Sequence, residues 1–250
     1  MKKVFILSGA GLSAESGLRT FRDNDGLWEN YDVMQVCSTQ GWLADRALVT
    51  DFYNIRRTQL KEVHPNKAHK TLAKLEKEFP GQIIHLTQNV DDLLERAGCE
   101  NVLHLHGTLT DLRCEACRET WDIGYTVQTP DMICPLCGSS HIRHNVVMFG
   151  ESAPNYRFIY EAMEQTEMFI AIGTRGQVID VADIARGYEY AILINPNREE
   201  HVGMFGSFDK MIDEYFSVYI QKGAVEAADE MEARIRSFFD QGRPGSYVPA

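Results

Sequence analysis

Four cysteines form the strongest chemical motif in the sequence. Cys114 and Cys117 make one Cys-x-x-Cys pair, and Cys134 and Cys137 make a second pair after 16 intervening residues. This spacing is typical of zinc sites in which four thiolates saturate a tetrahedral Zn²⁺ ion and leave no open position. Two matched pairs argue against a redox motif, which needs only one pair. The sequence therefore predicts one structural zinc ion that folds a ribbon over residues 110–145.

A glycine turn near the N-terminus indicates a phosphate site. The apolar run Val4–Leu7 is typical of a buried strand, and Gly9-x-Gly11-x-x-Ala14 follows it at a predicted helix start. A strand, a glycine turn and a helix N-terminus let unpaired backbone N–H groups hold the phosphates of a dinucleotide. An ordinary turn between a strand and a helix fits the same pattern, and this motif alone leaves both interpretations open.

A polar, turn-rich loop comes next and carries Phe21, Arg22 and Trp28. A loop directly after a phosphate turn is well placed to close over a bound cofactor as a lid. A surface connection whose aromatic side chains attach it to the core fits equally well.

Polar residues also follow later strands. Gln88, Asn89 and Asp91 come after the predicted strand 82–86, and ligands of α/β proteins bind at the carboxyl ends of strands. Asp91 also fits the N-cap of a helix over residues 92–97. His106 ends another short strand, so its imidazole is a candidate for acid–base chemistry, although an isolated histidine is more often structural.

Tyr53 and Arg56 lie three residues apart in a predicted helix, so they share one helix face. A phenol beside a guanidinium suits a carboxylate ligand. A tyrosine at the edge of the core next to a solvated arginine is the simpler alternative.

Strands alternate with helices along most of the chain, which predicts a doubly wound parallel sheet. Further strands are predicted at 168–172, 191–194 and 216–220, and a closing helix at 227–240. The predicted divisions are a Rossmann-type NAD-binding domain over 1–39, 81–109 and 146–250, a helical insert over 40–80 and the zinc ribbon over 110–145.

Composition limits the possible settings and partners. The 250 residues are 44% hydrophobic and 24% charged, as in a globular protein. Apolar runs stay far below the roughly 20 residues that cross a bilayer, and the run after Lys2 is too short for a signal peptide. We therefore expect a cytoplasmic monomer without a membrane partner. The net charge of −11 argues against a nucleic-acid surface.

Several of these motifs occur together, in this order and at family spacing, in one known family. They are Gly9-Ala10-Gly11-x-Ser13-x-x-Ser16-Gly17-x-x-x-Phe21-Arg22, Thr87-Gln88-Asn89-Val90-Asp91, His106-Gly107, both cysteine pairs and Phe149-Gly150-Glu151. From about residue 3 to about residue 240 the chain resembles the sirtuins, NAD-dependent protein-lysine deacylases. Tyr53-x-x-Arg56 is similar to the pair that marks members accepting succinyl and malonyl groups, and the bacterial members of that class look most similar.

The resemblance implies a role for each matching residue. The pyrophosphate of NAD would be held by Gly9, Ala10, Gly11 and Ser13, under a loop carrying Phe21 and Arg22. The nicotinamide ribose would meet Gln88, Asn89 and Asp91, and the adenosine half would meet Gly173, Thr174, Asn195 and Ala224. His106 would be the general base, and Tyr53 with Arg56 would bind the acyl group. Substrate peptide would add as a strand along Val146, Met148 and Phe149.

The reaction implied by the resemblance consumes NAD. The acyl-lysine oxygen displaces nicotinamide from the ribose, and His106 then removes a proton from a ribose hydroxyl. The products are free lysine, nicotinamide and O-acyl-ADP-ribose. Succinyl and malonyl groups are the expected substrates, with acetyl also accepted. The zinc ion takes no part in this chemistry.

The sequence departs from the family pattern at three places. Arg175 stands where a serine is usual, and it would either pair with an NAD phosphate or point to solvent. Met148 replaces a tryptophan in the wall of the acyl-lysine tunnel, and residues 178–181 read Val-Ile-Asp-Val instead of Val-Tyr-Pro-Ala. Arg175 and the altered peptide segment motivate an alternative, an NAD glycohydrolase or mono-ADP-ribosyltransferase. A non-enzymatic zinc-ribbon module and a dehydrogenase are weaker alternatives.

Overall fold

The computed structural model describes residues 1–18, 27–28, 31–202 and 208–247. The strands are β1 Val4–Ser8, β2 Leu27–Trp28, β3 Tyr31–Asp32, β4 Ile83–Thr87, β5 Val102–His104, β6 Gly107–Cys114, β7 Thr120–Asp122, β8 Ile142–Val146, β9 Met168–Ile172, β10 Tyr190–Ile194, β11 Glu200–Val202, β12 Phe208–Met211 and β13 Val218–Ile220. The α-helices are α1 Gly11–Ala14, α2 Val33–Val36, α3 Thr39–Ala44, α4 Arg46–Glu62, α5 Lys67–Glu78, α6 Leu93–Ala97, α7 Arg157–Gln165, α8 Val181–Ala185 and α9 Ala224–Gln241. Two 3₁₀ helices span Pro154–Tyr156 and Ile212–Tyr215.

A six-stranded sheet in the order β13-β10-β9-β1-β4-β5 forms the centre of the molecule. Its strands are parallel, and β1 pairs with β4 on one side and β9 on the other. All five side chains of β1 are buried, as expected for a central strand that is covered on both faces. The predicted doubly wound sheet is therefore confirmed.

Side chains of β1 alternate between two cores. Val4 and Ile6 belong to one cluster, which also contains buried residues of α5 and α9. Phe5 and Leu7 belong to a second cluster, built with buried residues of α7 and α8. Because successive side chains of a strand point to opposite faces, one apolar run organises both helical layers.

Two smaller units adjoin this core. Helices α2, α3 and α4 share a third apolar cluster with Leu109, Val146 and Met148. The strands β7, β6 and β8 form an antiparallel sheet, with a small core of Leu112, Ile142 and two cysteines. Helix α5, which lies in the predicted insert 40–80, packs in the layer with α9. The predicted domain boundaries stay predictions.

Two predicted element boundaries were wrong. The last strand of the sheet begins at Val218 and not at residue 216, because Phe216 closes the preceding 3₁₀ turn by donating its amide to the Asp213 carbonyl. Helix α9 begins three residues before the predicted position 227. Its first turn is stabilised by Glu15, whose carboxylate accepts the Val225 amide at 2.9 Å. A cap from so distant a residue leaves no local sequence signal.

Among the described residues, no helix combines the length and the apolar character that crossing a membrane requires.

Buried histidines lie beneath the carboxyl edge of the sheet. His85 is 3% exposed, and its Nε2 lies 3.0 Å from Oγ of Ser8 in the neighbouring strand. His69 is fully buried, and its Nε2 lies 3.3 Å from Oγ of Ser13. Burial lowers the pKa of His85 to about 3 and that of His69 to about 4. Both side chains are therefore neutral in the folded protein.

We predict that these histidines destabilise the fold in mild acid. In the unfolded chain both titrate near pH 6.5, so between pH 6.5 and about 4 the unfolded state binds protons that the folded state excludes. Each should cost about 2 kcal/mol of unfolding free energy at pH 5 relative to pH 7. Urea unfolding at the two pH values measures the loss. In His85→Gln the difference between them should shrink by about 2 kcal/mol, and an unchanged difference would contradict this account.

Candidate active site

A cavity of about 690 Å³ opens at the carboxyl ends of β1, β4, β9 and β10. It brings together nearly all residues that the sequence predicts to act: Gly9, Ala10, Gly11, Ser13, Tyr53, Arg56, Gln88, Asn89, Asp91, His106, Val146, Met148, Phe149, Gly173, Thr174, Asn195 and Ala224. Phe21 and Arg22 lie outside the described residues. Segments far apart in the sequence therefore share one concave surface.

Two glycine turns meet at the floor of this cavity. A side chain on Gly11 would place Cβ 2.7 Å from Cα of Gly173, and a Cβ on Gly173 would lie 2.3 Å from the Leu12 nitrogen. Gly173 also has φ = +65°, which favours glycine. The turn after β1 and the turn after β9 can approach this closely only because both lack side chains.

The amides of the first turn are used within the protein. The Gly9 N–H donates to the Ile172 carbonyl at 3.0 Å, and the Gly11 N–H donates to the Gly173 carbonyl at 2.9 Å. These two amides join the two turns, so they are not among the unpaired donors expected for a phosphate. The pyrophosphate contacts of Gly9, Ala10, Gly11 and Ser13 stay a prediction. Helix α1 is a single turn of four residues. The longer α9 begins at the cavity wall with Gly223 and Ala224, and its N-terminus carries the positive end of a helix dipole.

A polar network lies beside the turn. The Ser13 hydroxyl donates to Oδ2 of Asp91 at 2.9 Å, and it accepts from the Asn89 side-chain amide at 3.2 Å. Oδ1 of Asp91 accepts the Leu93 amide at 3.1 Å at the start of α6. One carboxylate oxygen of Asp91 therefore accepts an amide of the first turn of α6, whose N-cap residue is Asp92, and the other accepts from Ser13. The predicted contact of Asp91 with a ligand stays a prediction. Burial raises the pKa of Asp91.

The imidazole of His106 has a defined tautomer. Its Nδ1 lies 3.0 Å from the Gln88 carbonyl, and a carbonyl only accepts, so Nδ1 carries the proton. Nε2 is then the basic atom, and it lies 2.8 Å from the hydroxyl of Tyr156. Burial lowers the pKa of His106, which keeps the ring neutral and able to accept a proton near neutral pH.

Gly107 lets the chain turn directly after this base. Its φ is +79°, and a Cβ here would lie 2.0 Å from the Asn145 carbonyl oxygen. The backbone of β8 therefore passes against the residue next to His106, so the ribbon sheet starts at the candidate base.

The other end of the cavity is apolar around a phenol and a guanidinium. Tyr53 and Arg56 are 3% and 7% exposed. The Tyr53 hydroxyl donates to Sγ of Cys37 at 3.6 Å, and its ring stacks on His144 with centroids 3.7 Å apart. Nη1 of Arg56 donates to Oε1 of Gln59 at 2.9 Å. Burial raises the pKa of Cys37 to about 12. This cysteine therefore borders the cavity as a neutral, protonated thiol.

Glu151 holds the segment that forms one wall. Its carboxylate pairs with the buried guanidinium of Arg143 in β8 and with Arg113 in β6, and it accepts the Met148 amide at 3.0 Å. The Val147 amide donates to the His106 carbonyl at 2.9 Å. Met148, which replaces the usual tryptophan, is 3% exposed and borders the cavity. One carboxylate thus fixes this wall to the ribbon sheet.

The same segment has few free N–H groups for a substrate strand. The Phe149 amide donates to the Cys37 carbonyl at 2.8 Å, and the Phe149 carbonyl accepts from Thr39 at 2.9 Å. Together with the bonds of Val147 and Met148, three consecutive amides already have partners. Strand addition along Val146, Met148 and Phe149 stays a prediction, and it would have to use carbonyls or displace Glu151.

Arg175 lies at the rim of the cavity and is 47% exposed at its side chain. Its Nε lies 3.1 Å from Oε1 of Glu199, so the cation has a carboxylate partner within the chain. Asp180 stands where the family usually has proline, and it caps α8 by accepting the Asp183 amide at 3.0 Å. The unusual sequence after Gly173 therefore forms an ordinary capped helix and an ion pair.

Sequence reasoning missed Cys37 and Tyr156, which both border the cavity. Cys37 was an isolated cysteine, and Tyr156 had no motif around it. Their side chains contact Tyr53 and His106, which are distant in the sequence, and residue spacing does not encode such contacts.

The four cysteines of the predicted zinc site lie at the far end of the ribbon sheet. Their sulfurs all fall within 4.8 Å of one another. Cys114 and Cys137 have sulfurs 3.7 Å apart, and those of Cys117 and Cys134 are 3.6 Å apart. A tetrahedron with Zn–S bonds of about 2.3 Å has edges of about 3.8 Å. The cluster therefore fits the predicted structural zinc ion.

Fold and site together define a class of protein, with a dinucleotide-type cavity on a parallel sheet and a four-cysteine ribbon beside it. A family model described as the Sir2 family matches residues 9–180. An NAD-dependent protein deacylase of Campylobacter jejuni is 48% identical over 242 residues, which cover 97% of this chain and 99% of the relative. Another from Helicobacter hepaticus is 40% identical and covers 96% and 99%.

Solved structures agree with these relatives. A mutant Sir2 homologue in complex with ADP-ribose superposes with a TM-score of 0.81 at 32% identity, covering 96% of this chain and 94% of that one. A Sir2 homologue in complex with NAD gives a TM-score of 0.79 at 33% identity, with coverage of 94% and 90%. The chain belongs to the Sir2 family, and its predicted membership of the sirtuins is confirmed.

We predict that the purified protein contains one zinc ion per chain and that Cys117→Ser removes it, because three thiolates bind Zn²⁺ far more weakly than four. The melting temperature should fall with the metal, since ribbon folding and metal binding are coupled. Elemental analysis and thermal unfolding measure both effects. Cys99→Ala is the matched control, because Cys99 is a buried cysteine outside the cluster. Equal zinc contents in Cys117→Ser and Cys99→Ala would contradict the assignment.

Proposed function

We propose that this sirtuin uses NAD to remove succinyl and malonyl groups, and also acetyl groups, from protein lysines. The observation that carries the proposal is the joint placement of His106, Tyr53 and Arg56 on one cavity. The first residue supplies a base, and the other two supply a receptor for an acidic acyl group. NAD dependence is supported by the relatives that carry that name.

The acyl end of the cavity favours a negative group. A buried guanidinium gains more from a carboxylate than a solvated one does, because water screens the pair less. The charge of Arg56 acts on both Tyr53 and Cys37. The Tyr53 hydroxyl now donates to sulfur, a weak acceptor. A carboxylate would offer that hydroxyl a stronger bond, while a neutral acetyl group would leave it on the sulfur.

The co-substrate end offers groups suited to NAD. Ser13, Asn89 and Asp91 form a fixed polar network, which suits the hydroxyls of a ribose. Thr174 and Asn195 lie at the ends of β9 and β10, beside the first turn of α9. NAD, when bound, supplies the ribose that accepts the acyl group. The chain would orient that ribose and take a proton at Nε2 of His106.

Protein lysines are the proposed partners, reached through the opening beside Phe149, which is 38% exposed. A solved Sir2 structure in complex with a deacetylated peptide is 24% identical with a TM-score of 0.70, so it supports the fold alone. The ribbon zinc would be coordinated by four thiolates, which gives it a structural role in this proposal.

We predict that Arg56→Met lowers desuccinylation at least tenfold and leaves deacetylation within about twofold, because a charged hydrogen bond is worth roughly 1.5–3 kcal/mol. The assay follows one peptide that carries acetyl, succinyl or malonyl lysine in turn, with NAD present. Lys61→Met is the matched control, since Lys61 is an exposed cation on the same helix. Equal loss for all three acyl groups would disprove the carboxylate role of Arg56.

The alternative functions, NAD glycohydrolase and mono-ADP-ribosyltransferase, were motivated by Arg175 and by the altered peptide segment. The ion pair with Glu199 accounts for Arg175. We predict that nicotinamide release from NAD is slow without an acyl peptide and rises at least tenfold with one, because the acyl oxygen is the nucleophile of the proposed reaction. Chromatography of nicotinamide measures both rates. Rapid release with NAD alone would favour the alternative. His106→Ala should abolish the release of free lysine from acyl peptides, whatever the rate of nicotinamide release with NAD alone.

A further inference from the structure

A tyrosine with no sequence motif contacts the candidate base. Tyr156 ends the 3₁₀ helix Pro154–Tyr156, shortly after the wall segment, and borders the cavity. Its hydroxyl oxygen lies 2.8 Å from Nε2 of His106, and the ring centroids are 5.8 Å apart. The roles proposed above leave this residue without a task.

The direction of this hydrogen bond is fixed. Nδ1 of His106 donates to the Gln88 carbonyl, so Nε2 of the neutral ring has a single lone pair and can only accept. The Tyr156 hydroxyl must therefore be the donor. Burial raises the pKa of Tyr156, which keeps the phenol protonated near neutral pH. The lone pair that a base would use is thus already taken by the tyrosine.

The position of Tyr156 is held from two sides. The neighbouring Asn155 donates its side-chain amide to the His104 carbonyl at 2.8 Å, two residues before His106. The ring packs against the apolar layer formed with α7 and α8. These contacts fix the tyrosine relative to the strand end that carries the base. A hydroxyl that approaches Nε2 therefore meets the Tyr156 oxygen, which still has lone pairs for accepting.

We propose that Tyr156 is a catalytic residue that relays the proton from the ribose hydroxyl to His106, an inference that rests on the proposed deacylase function. The ribose O–H bond breaks and its proton binds the Tyr156 oxygen. The phenolic proton of Tyr156 moves at the same time to Nε2. The step leaves a nucleophilic ribose oxygen, a neutral tyrosine and an imidazolium, so protons and charge balance without any further reactant.

The test compares two steps of the reaction in Tyr156→Phe. Exchange of labelled nicotinamide into NAD reports the first step, which needs no base, and release of free lysine reports the later one. Exchange should stay within about twofold of the wild type, while lysine release should fall at least tenfold, as general acid–base groups contribute roughly 10²–10⁴-fold. The double variant with His106→Ala should be no slower than His106→Ala alone, because residues acting as one unit are not additive.

Tyr160→Phe is the matched control, since Tyr160 is 70% exposed on the following helix, and it should leave both rates unchanged. Normal lysine release in Tyr156→Phe at every pH near neutrality would overturn the relay. A parallel loss of exchange and release would also overturn it, because it would indicate a role in binding. A wild-type protein inactive on every acyl peptide would instead refute the proposed function.

A fluorinated tyrosine at position 156 gives a second variant that keeps the size and the hydroxyl. Its more acidic phenol should shift the pH dependence of lysine release while exchange keeps its own profile. An unchanged pH dependence would overturn the relay even if Tyr156→Phe failed to fold.

Discussion

The contact between two glycine turns is the constraint on which the site depends. Gly11 and Gly173 approach so closely that neither position has room for a Cβ atom. The turns after β1 and β9 therefore close the floor of the cavity with backbone alone, held by amides that bond from one turn to the other. Side chains that face the cavity therefore lie around these turns, among them Ser13 after β1, His106 before β6 and Tyr53 in α4.

Residue types and short spacings predicted much of this arrangement. The cysteine pairs, the glycine turn and the histidine before a glycine each depend on local geometry, so their chemistry is visible in a few adjacent residues. The alternation of apolar runs predicted the sheet for the same reason, since β1 serves two cores through neighbouring side chains. Family resemblance then connected motifs that spacing alone could not place on one surface.

Other features depend on contacts between distant segments and left no local signal. The start of α9 is set by Glu15, the hydroxyl of Tyr53 is directed by Cys37, and Arg175 is held by Glu199. In each case the partner residue lies in another element or loop, and the adjacent sequence contains no pattern that identifies this partner. The amides of Gly9 and Gly11 are a further case, because their partners, the carbonyls of Ile172 and Gly173, lie in a distant turn.

The ribbon sheet extends from the candidate base His106 at one end to the four-cysteine cluster at the other. Strand β6 begins at Gly107, next to the candidate base His106, and ends at Cys114 in the four-cysteine cluster. Strand β8 runs back from the cluster to Val146, which borders the cavity. The Glu151 carboxylate forms ion pairs with Arg113 of β6 and with Arg143 of β8. The two strands therefore join the four-cysteine cluster to the wall segment beside the cavity. An ion at the cysteine cluster, saturated by four thiolates, would therefore stabilise one wall of the cavity without binding a ligand there.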